Sequence, residues 1–375
     1  MNHPLRLRRD TCFKLSTVGI VLLLPLIGCS KKPKPDAQSA TASTSATSST
    51  SSSGPKSSVA RPQIVFAESA ETKERQQIVQ AARALLGNKD YAGLEALAAK
   101  YRAAKEPNPD GTWKLGYVYE GLEPAGNDSE AAWQSGLSQL QAWMKARPQS
   151  ATARIAMARA MVSYGWKARG SGYADSVSQA SFQTFLSRLQ KAAGHLGEAR
   201  RLNEKCPLYW STLMKVSLGM QLDKQRYKEN FDKAVQEFPD YKYYYNMRAT
   251  FLLPRWYGEP GEWLKDLTET CDRVGGKSGD LIFAQVFWSL DGYTDSVEVM
   301  RKDRAVWERV ERGFAALKEQ FPDAQSVKAE YAYLASYMGQ REKTQNAIIE
   351  MKDGVDLVVW EGEKKFQKLL NWAFP

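Results

Sequence analysis

The chain has 375 residues, of which 43% are hydrophobic and 25% charged, and its formal net charge is +10. This length and apolar content are ample for a large folded core. Much of the excess positive charge lies before residue 62 and no nucleic-acid-binding motif accompanies it, so the composition argues against a DNA- or RNA-binding protein.

The chain begins with a basic region followed by a short apolar stretch. Arg6, Arg8 and Arg9 precede the apolar residues 18–27, an arrangement typical of a secretory signal peptide. A membrane-spanning helix would need roughly 20 apolar residues. Residues 26–29, Leu-Ile-Gly-Cys, resemble a lipobox. We therefore predict that residues 1–28 are a lipoprotein signal peptide and that Cys29 is lipidated; an ordinary cleavable signal with an incidental cysteine is the alternative.

A lipid on Cys29 would anchor the mature chain to a membrane, because each buried methylene contributes about 0.8 kcal/mol. Ser30 follows it, and a residue other than Asp at this position resembles the outer-membrane signal of enteric-type lipoproteins. Residues 37–58 are almost entirely Ser, Thr, Ala and Gly, a composition typical of a disordered tether. We predict a flexible linker over residues 29–67 and a location at the periplasmic or outer-membrane face of the bacterial cell envelope.

The composition becomes globular at residue 68, and apolar residues then recur at spacings of three and four, which predicts helices. Two such stripes, over residues 78–86 and 94–101, flank a polar turn and predict a helical hairpin. Residues 182–202 and 327–338 continue the pattern. The predicted fold is all-α, an irregular solenoid of helical hairpins over residues 68–375, with a sub-boundary near residues 276–300.

A glycine-rich segment over residues 165–173 is the first candidate binding site. Glycines let a backbone approach a ligand, and successive amides can bind an anion. The alternative is a loop between repeats whose aromatic side chains seal the edge of the core. No phosphate-binding Gly-x-x-x-x-Gly-Lys-Ser pattern is present. The candidate residues are Trp166, Lys167, Arg169 and Tyr173.

Cys206 and Cys271 remain once Cys29 is assigned to the lipid and the leader is removed. In an oxidising compartment a disulfide between them would stabilise the fold by about 4 kcal/mol. The alternative is two buried free thiols in separate helices.

Four predicted helices end alike, with an apolar pair eight and five residues before a proline that is expected to open the next helix. These prolines are Pro148, Pro207, Pro239 and Pro322.

Two of these helix ends resemble the second helix of a tetratricopeptide repeat, in which Phe stands eight residues before Pro. Phe231 and Phe314 hold that position, and Trp210-x-x-Leu213 resembles the first helix of the same repeat. The prolines are unevenly spaced, so we predict degenerate repeats with insertions, and an unrelated helical bundle is the alternative.

A turn-rich aromatic segment over residues 253–263 is the second candidate site. Paired carboxylates beside aromatic rings suit a sugar-cleaving site. The same acids also fit a helix start, where the helix dipole favours them, with Glu262, Asp266 and Glu269 on one solvated face. The candidate residues are Arg255, Trp256, Tyr257, Glu259, Glu262 and Trp263.

Together, the segments 165–173, 206–210 and 254–263 resemble domain-of-unknown-function family 4034, over roughly residues 90–290. The resemblance implies a helical repeat-like domain. It brings no activity and no functional residue to this chain.

These features favour a membrane-anchored lipoprotein whose helical array binds an unknown protein partner. The alternative is a cell-wall glycan binder or hydrolase that uses residues 254–263. His195 is the only histidine left after processing, and neither metal-ligand spacing nor a nucleophile elbow is present. We therefore expect no cofactor, no metal and no nucleic-acid partner, and a binding protein is favoured over an enzyme.

Overall fold

The computed structural model of the protein describes residues 59–124, 129–170, 177–203, 205–291, 293–294, 296–352 and 354–375. The predicted signal peptide, Cys29, most of the linker and Tyr173 lie outside these residues. Within them the fold is all-α, as the periodicity predicted, and the β-structure consists of isolated bridges. The helices are α1 (Ala70–Gly87), α2 (Tyr91–Ala104), α3 (Leu115–Gly121), α4 (Glu130–Ala146), α5 (Ala151–Arg169), α6 (Gln179–Arg201), α7 (Pro207–Gly219), α8 (Lys224–Glu237), α9 (Tyr243–Phe251), α10 (Glu262–Val274), α11 (Gly276–Ser289), α12 (Ser296–Lys302), α13 (Arg304–Gln320), α14 (Gln325–Tyr337), α15 (Arg341–Ile349) and α16 (Glu363–Ala373).

Many of the helices begin at a short polar side chain that caps the first turn. Ser69 accepts a hydrogen bond from the backbone N–H of Thr72 at 3.1 Å, and Asp90 accepts one from Gly93 at 2.9 Å. Each such cap stabilises its helix by about 1 kcal/mol. The same arrangement starts α4, α5, α6, α8 and α13, at Ser129, Ser150, Ser178, Asp223 and Asp303.

In α4, α8 and α13 the residue that caps the C-terminal end of the helix directly precedes a proline. Arg147, Phe238 and Phe321 share nearly the same backbone angles, with φ between −129° and −136° and ψ between 65° and 72°. The proline ring excludes the helical conformation from the residue before it, so the helix stops there. The prediction that each proline opens the next helix is correct only for Pro207, at the first turn of α7. The other three lie in connections, because the next helix starts at a cap further along the chain.

The central helices form two layers. Helices α5, α7, α9 and α11 contact one another in that order, and α6, α8 and α10 each pack against the two members of this layer that flank them in sequence. A hairpin cannot cover its own apolar face, so successive hairpins stack and bury one continuous core. We call α5, α7, α9 and α11 the inner layer, because the loop described next docks against it.

The loop over residues 105–114 crosses to the inner layer and ties distant helices together. The Gly111 carbonyl accepts a hydrogen bond from the Tyr243 backbone N–H at 2.9 Å, and the Pro109 carbonyl accepts one from the Gln285 side chain at 2.5 Å. Gly111 has a φ of +82°, and a Cβ there would stand 3.0 Å from the Cβ of Lys242. A glycine is therefore required for the loop to approach α9 this closely.

The two ends of the described chain meet. The Val65 N–H donates to the Lys352 carbonyl at 2.8 Å, and the Val355 N–H donates back to the Val65 carbonyl at 2.9 Å. The Phe66 ring packs edge-on against Phe366, with ring centroids 6.0 Å apart. The folded body therefore begins before residue 68, its predicted start, because residues 65 and 66 pair with the C-terminal region.

The main hydrophobic core extends from Ile78 to Ala335 and passes through residues 276–300 without a break. A smaller cluster lies between Ala329 and Phe374 and includes the partly buried Ile64. The predicted sub-boundary near residues 276–300 therefore does not coincide with a gap in the core. Of the helices described here, none has both the length and the apolar character required to cross a bilayer.

Candidate functional site

A cavity lies between α7, α9 and the C-terminal end of α11. Its volume is about 40 Å³, and its walls include apolar side chains such as Met214 and Leu218. We call it the central cavity. The polar and charged side chains that line it are Lys215, Tyr227, Tyr243, Asn246, Thr250, Arg255, Ser289 and Tyr293.

Lys215 is the most unusual residue of the central cavity. It is the only charged residue of α7, whose side chains are otherwise mostly buried. Burial, reinforced by the nearby Arg159 guanidinium and opposed by Glu123, lowers the pKa of the Lys215 ammonium to about 8. Within the described part of the chain, no hydrogen bond or ion pair is found for this ammonium group. A substantial fraction of Lys215 is therefore neutral at mildly alkaline pH.

Arg255 contributes a second cation to the same cavity. Its guanidinium lies over the Tyr293 ring, 4.1 Å from the ring centroid, and its buried Nε has no hydrogen-bond partner in the described part of the chain. Burial lowers the pKa of Arg255 below its ordinary value, although the group stays charged at physiological pH. The residues described as lining this cavity include no carboxylate.

A smaller cavity on the other side of Lys215 holds a compensated charge pair. Arg159 pairs with Glu123 at 2.7 Å, and Glu123 also accepts a hydrogen bond from the Ser163 hydroxyl at 2.7 Å. The Glu123 carboxylate is therefore engaged by Arg159 and Ser163. It offsets the charge of Arg159 more directly than that of Lys215.

The glycine-rich segment is mostly helical. Residues 165–169 form the last turns of α5, and the Gly170 N–H donates to the Trp166 carbonyl at 2.9 Å. Trp166 is 7% exposed and packs against Phe185, with ring centroids 4.5 Å apart. The amides at the end of the helix are thus used within it, so residues 165–170 do not form the predicted anion-binding loop.

The two cations of that segment rest against aromatic rings. The Lys167 ammonium lies 5.9 Å from the Trp133 ring centroid, and the buried Arg169 guanidinium lies 5.7 Å from that of Trp166. These contacts fit the alternative interpretation, in which this part of the segment seals the edge of the core.

The aromatic side chains of residues 254–263 also take part in packing. Trp263 is 5% exposed and packs against Phe287, and the Tyr257 hydroxyl donates to the Leu218 carbonyl at 2.8 Å. Burial raises the pKa of Tyr257 to about 12. The partly buried Trp256 lies 6.0 Å from Trp166 between ring centroids, so the two predicted segments meet in the fold.

The carboxylates of Glu262 and of the nearby Asp266 are engaged by neighbouring groups. Glu262 accepts hydrogen bonds from the Lys224 ammonium at 2.6 Å and from the Glu259 backbone N–H at 2.7 Å. Burial opposes ionisation of Glu262, but these two donors lower its pKa below the ordinary value. Asp266 forms a two-point ion pair with Arg248, at 2.8 Å and 3.2 Å. Glu259 is exposed. This arrangement resembles a capped helix start more than an acid and base pair.

Cys206 and Cys271 are both buried free thiols, so the possible disulfide between them is not formed. Cys206 precedes α7 and lies 3.5 Å from the Tyr119 hydroxyl, whereas Cys271 belongs to α10. Burial raises the pKa of Cys271 to about 12. The alternative of two thiols in separate elements describes the structure.

Sequence reasoning missed Lys215 and the central cavity. One signal was present in the sequence, since α7 carries a single charged residue among otherwise uncharged ones. A lone lysine in a helix buried on nearly all sides must either pair or line a cavity. No group of three or more His, Cys, Asp or Glu side chains suited to a metal ion is found among the described residues.

No family model matches the chain, and the comparisons found no similar curated protein and no similar solved structure. The resemblance to domain-of-unknown-function family 4034 therefore stays a prediction.

Proposed function

We propose that the protein is a lipid-anchored lipoprotein of the bacterial cell envelope and that its helical body is an interaction scaffold for a protein partner. The observation that carries this proposal over the glycan alternative is the packing of residues 254–263. Trp263 and Trp256 contact other core aromatics, and Glu262 is held by Lys224. A sugar-binding platform needs an exposed ring and free carboxylates beside it.

The inner layer is the surface that the scaffold offers. Side chains from α7, α9 and α11 converge there on one cavity, and polar groups such as Asn246 and Ser289 lie beside apolar ones. Stacked helical hairpins bind partners through such composite surfaces, because neighbouring repeats each contribute side chains. The candidate aromatic residues Trp166 and Trp263 contribute little to this surface, since both are buried.

The anchor is tested by replacing Cys29 with Ser. We expect the variant to lose the lipid, to leave the membrane fraction and to change mobility on a denaturing gel, because the acyl chains hold the mature chain to the bilayer. Membrane fractionation with and without detergent measures this. Unchanged membrane association and mobility of the Cys29→Ser protein would contradict a lipid anchor.

The scaffold is tested by site-specific photocrosslinking in intact envelopes. A photoreactive amino acid at Asn246, in the central cavity, is expected to give one discrete protein adduct. The same group at Lys145, exposed on α4, serves as the control and is expected to give none. Sedimentation with purified peptidoglycan tests the glycan alternative. If the protein cosediments with peptidoglycan or releases fragments from it, and no protein adduct forms, the scaffold proposal is wrong and the glycan function is supported.

A further inference from the structure

The central cavity holds two cationic side chains and, among its described lining residues, no carboxylate. Lys215 enters it from α7, and Arg255 enters it from the turn after α9. Ionised groups removed from water are costly unless an opposite charge or a full set of hydrogen bonds compensates them. The buried Nε of Arg255 has no such partner in the part of the chain that is described. No ion pair or hydrogen bond to the partly buried Lys215 ammonium is found there either.

Glu123, the carboxylate whose charge acts on Lys215, does not fill this role. Glu123 lies toward the smaller cavity, where Arg159 pairs with it at 2.7 Å and the Ser163 hydroxyl donates to it. One carboxylate thus faces two cations, Arg159 and Lys215, and bonds directly to the first. The central cavity keeps an excess of positive charge.

We propose that the central cavity binds a small oxyanion, a phosphate or carboxylate group, between Lys215 and Arg255. The volume of about 40 Å³ has room for about three water-sized groups, which suits the oxygens of one such anion. A guanidinium offers paired donors to these anions, and an ammonium adds a point charge. This site lies in the same inner layer as the proposed partner surface, but binding of an oxyanion does not require a protein partner.

Neutral donors around the cavity complete the site. The Thr250 hydroxyl donates a hydrogen bond to the Asn246 side-chain oxygen at 3.3 Å. The Asn246 amide nitrogen is then available to donate to an anion. Burial raises the pKa of Tyr243 above its ordinary value, so its hydroxyl keeps the proton that it can donate. Apolar neighbours such as Met214 and Met247 limit competing water and strengthen each charged contact.

An oxyanion at this position also changes the titration of Lys215. A bound negative charge favours the ammonium form, so binding raises the pKa of Lys215 from its depressed value and takes up a proton at mildly alkaline pH. Affinity is therefore expected to fall as the pH rises past about 8. The charged or titratable groups around Lys215 in the two cavities are Arg159, Glu123, Arg255, Tyr227, Tyr243 and Tyr293.

The test is calorimetric titration of the purified full-length protein with inorganic phosphate, acetate and butyl phosphate, against sodium chloride of equal ionic strength. We expect at least one oxyanion to bind and chloride to give no saturable signal. Lys215→Met and Arg255→Gln should each weaken binding at least about tenfold, because each removes one of the two charges. Lys145→Met makes the same charge change on exposed α4 and should leave affinity unchanged.

Binding of phosphate alone supports a free ion as ligand, and binding of butyl phosphate as well supports the head group of a larger molecule. Without ligand, Lys215→Met should melt at a higher temperature than the unmodified protein, because a partly buried and unpaired charge is replaced by an apolar side chain. Absence of binding by all three oxyanions, or equal affinity in the Lys215→Met and unmodified proteins, would overturn the proposal. If either Lys215→Met or Arg255→Gln fails to fold, the calorimetric titration of the other variant tests the proposal.

Discussion

At the scale of single residues, close helix packing depends on a few glycines. Gly313 on α13 faces α11, and a Cβ added there would lie 2.1 Å from the Asp280 carbonyl oxygen. That atom belongs to the backbone of α11, so the two helices would have to move apart. Gly194 on α6 is exposed, and a Cβ there meets no atom within 4 Å.

Replacing Gly313 by Ala is expected to lower the free energy of unfolding by about 1–3 kcal/mol, because the added methyl group overpacks the α11–α13 contact. Gly194→Ala is the matched control and should raise it by about 0.5–1 kcal/mol, since alanine favours an exposed helix interior. Urea unfolding followed by circular dichroism measures both. Equal effects of the two substitutions would show that the close contact does not matter.

At the scale of elements, three carboxylates converge where α1, the 105–114 loop and α14 meet. Burial raises the pKa of Glu330 well above its ordinary range, and the nearby charges of Glu71 and Asp110 raise it further, while a hydrogen bond with Trp288 opposes the shift. Burial likewise raises the pKa values of Glu71 and Asp110. The three elements are thus held together despite, rather than through, these charges.

This arrangement sets a pH dependence of stability. Because the pKa of Glu330 is higher in the folded chain, the folded state binds more protons than the unfolded state between the two pKa values. The free energy of unfolding should therefore fall as the pH rises from about 5 to about 8. Glu330→Gln should flatten this dependence, as measured by urea midpoints at both pH values. Glu342→Gln, on an exposed side chain, should keep it, and an unchanged slope in Glu330→Gln would refute the assignment.

At the scale of the whole molecule, the N-terminal segment joins the C-terminal cluster. Asp356 is 1% exposed and accepts hydrogen bonds from the Ser69 N–H at 2.9 Å and the Ser69 hydroxyl at 2.6 Å. Burial opposes ionisation of Asp356, but these donors lower its pKa below the ordinary value. The folded body is therefore closed by groups that are 287 residues apart in sequence.

Breaking this closure should loosen the C-terminal helices first. Val65→Pro removes the N–H that donates to the Lys352 carbonyl. Amide hydrogen exchange in α15 and α16 is expected to quicken at least about tenfold, while α7 and α9 keep their protection. Val59→Pro is the control on an exposed residue of the same segment. Equal exchange in both variants would show that the pairing at Val65 does not hold the C-terminal region.

How much could be predicted depended on the range of the interactions. The hairpin of α1 and α2 follows from two apolar stripes around a polar turn, and the end of α8 follows from Phe238 and Pro239, all within a few residues. Whether Cys206 and Cys271 form a disulfide could not be predicted, because spacing in sequence carries no information on the distance between two helices. The candidate aromatics Trp166 and Trp263 are core residues, since their type alone does not distinguish a buried ring from a binding surface.

The sequence by itself determined the helices, their caps and their proline ends, because each depends on backbone sterics and on hydrogen bonds to near neighbours. Only the tertiary structure decided that residues 64–67 pair with the C-terminal region, that the 105–114 loop docks on the inner layer, and that Lys215 and Arg255 share one cavity. Those relations join side chains far apart in the chain, and they arise from the packing of whole helices rather than from any local pattern.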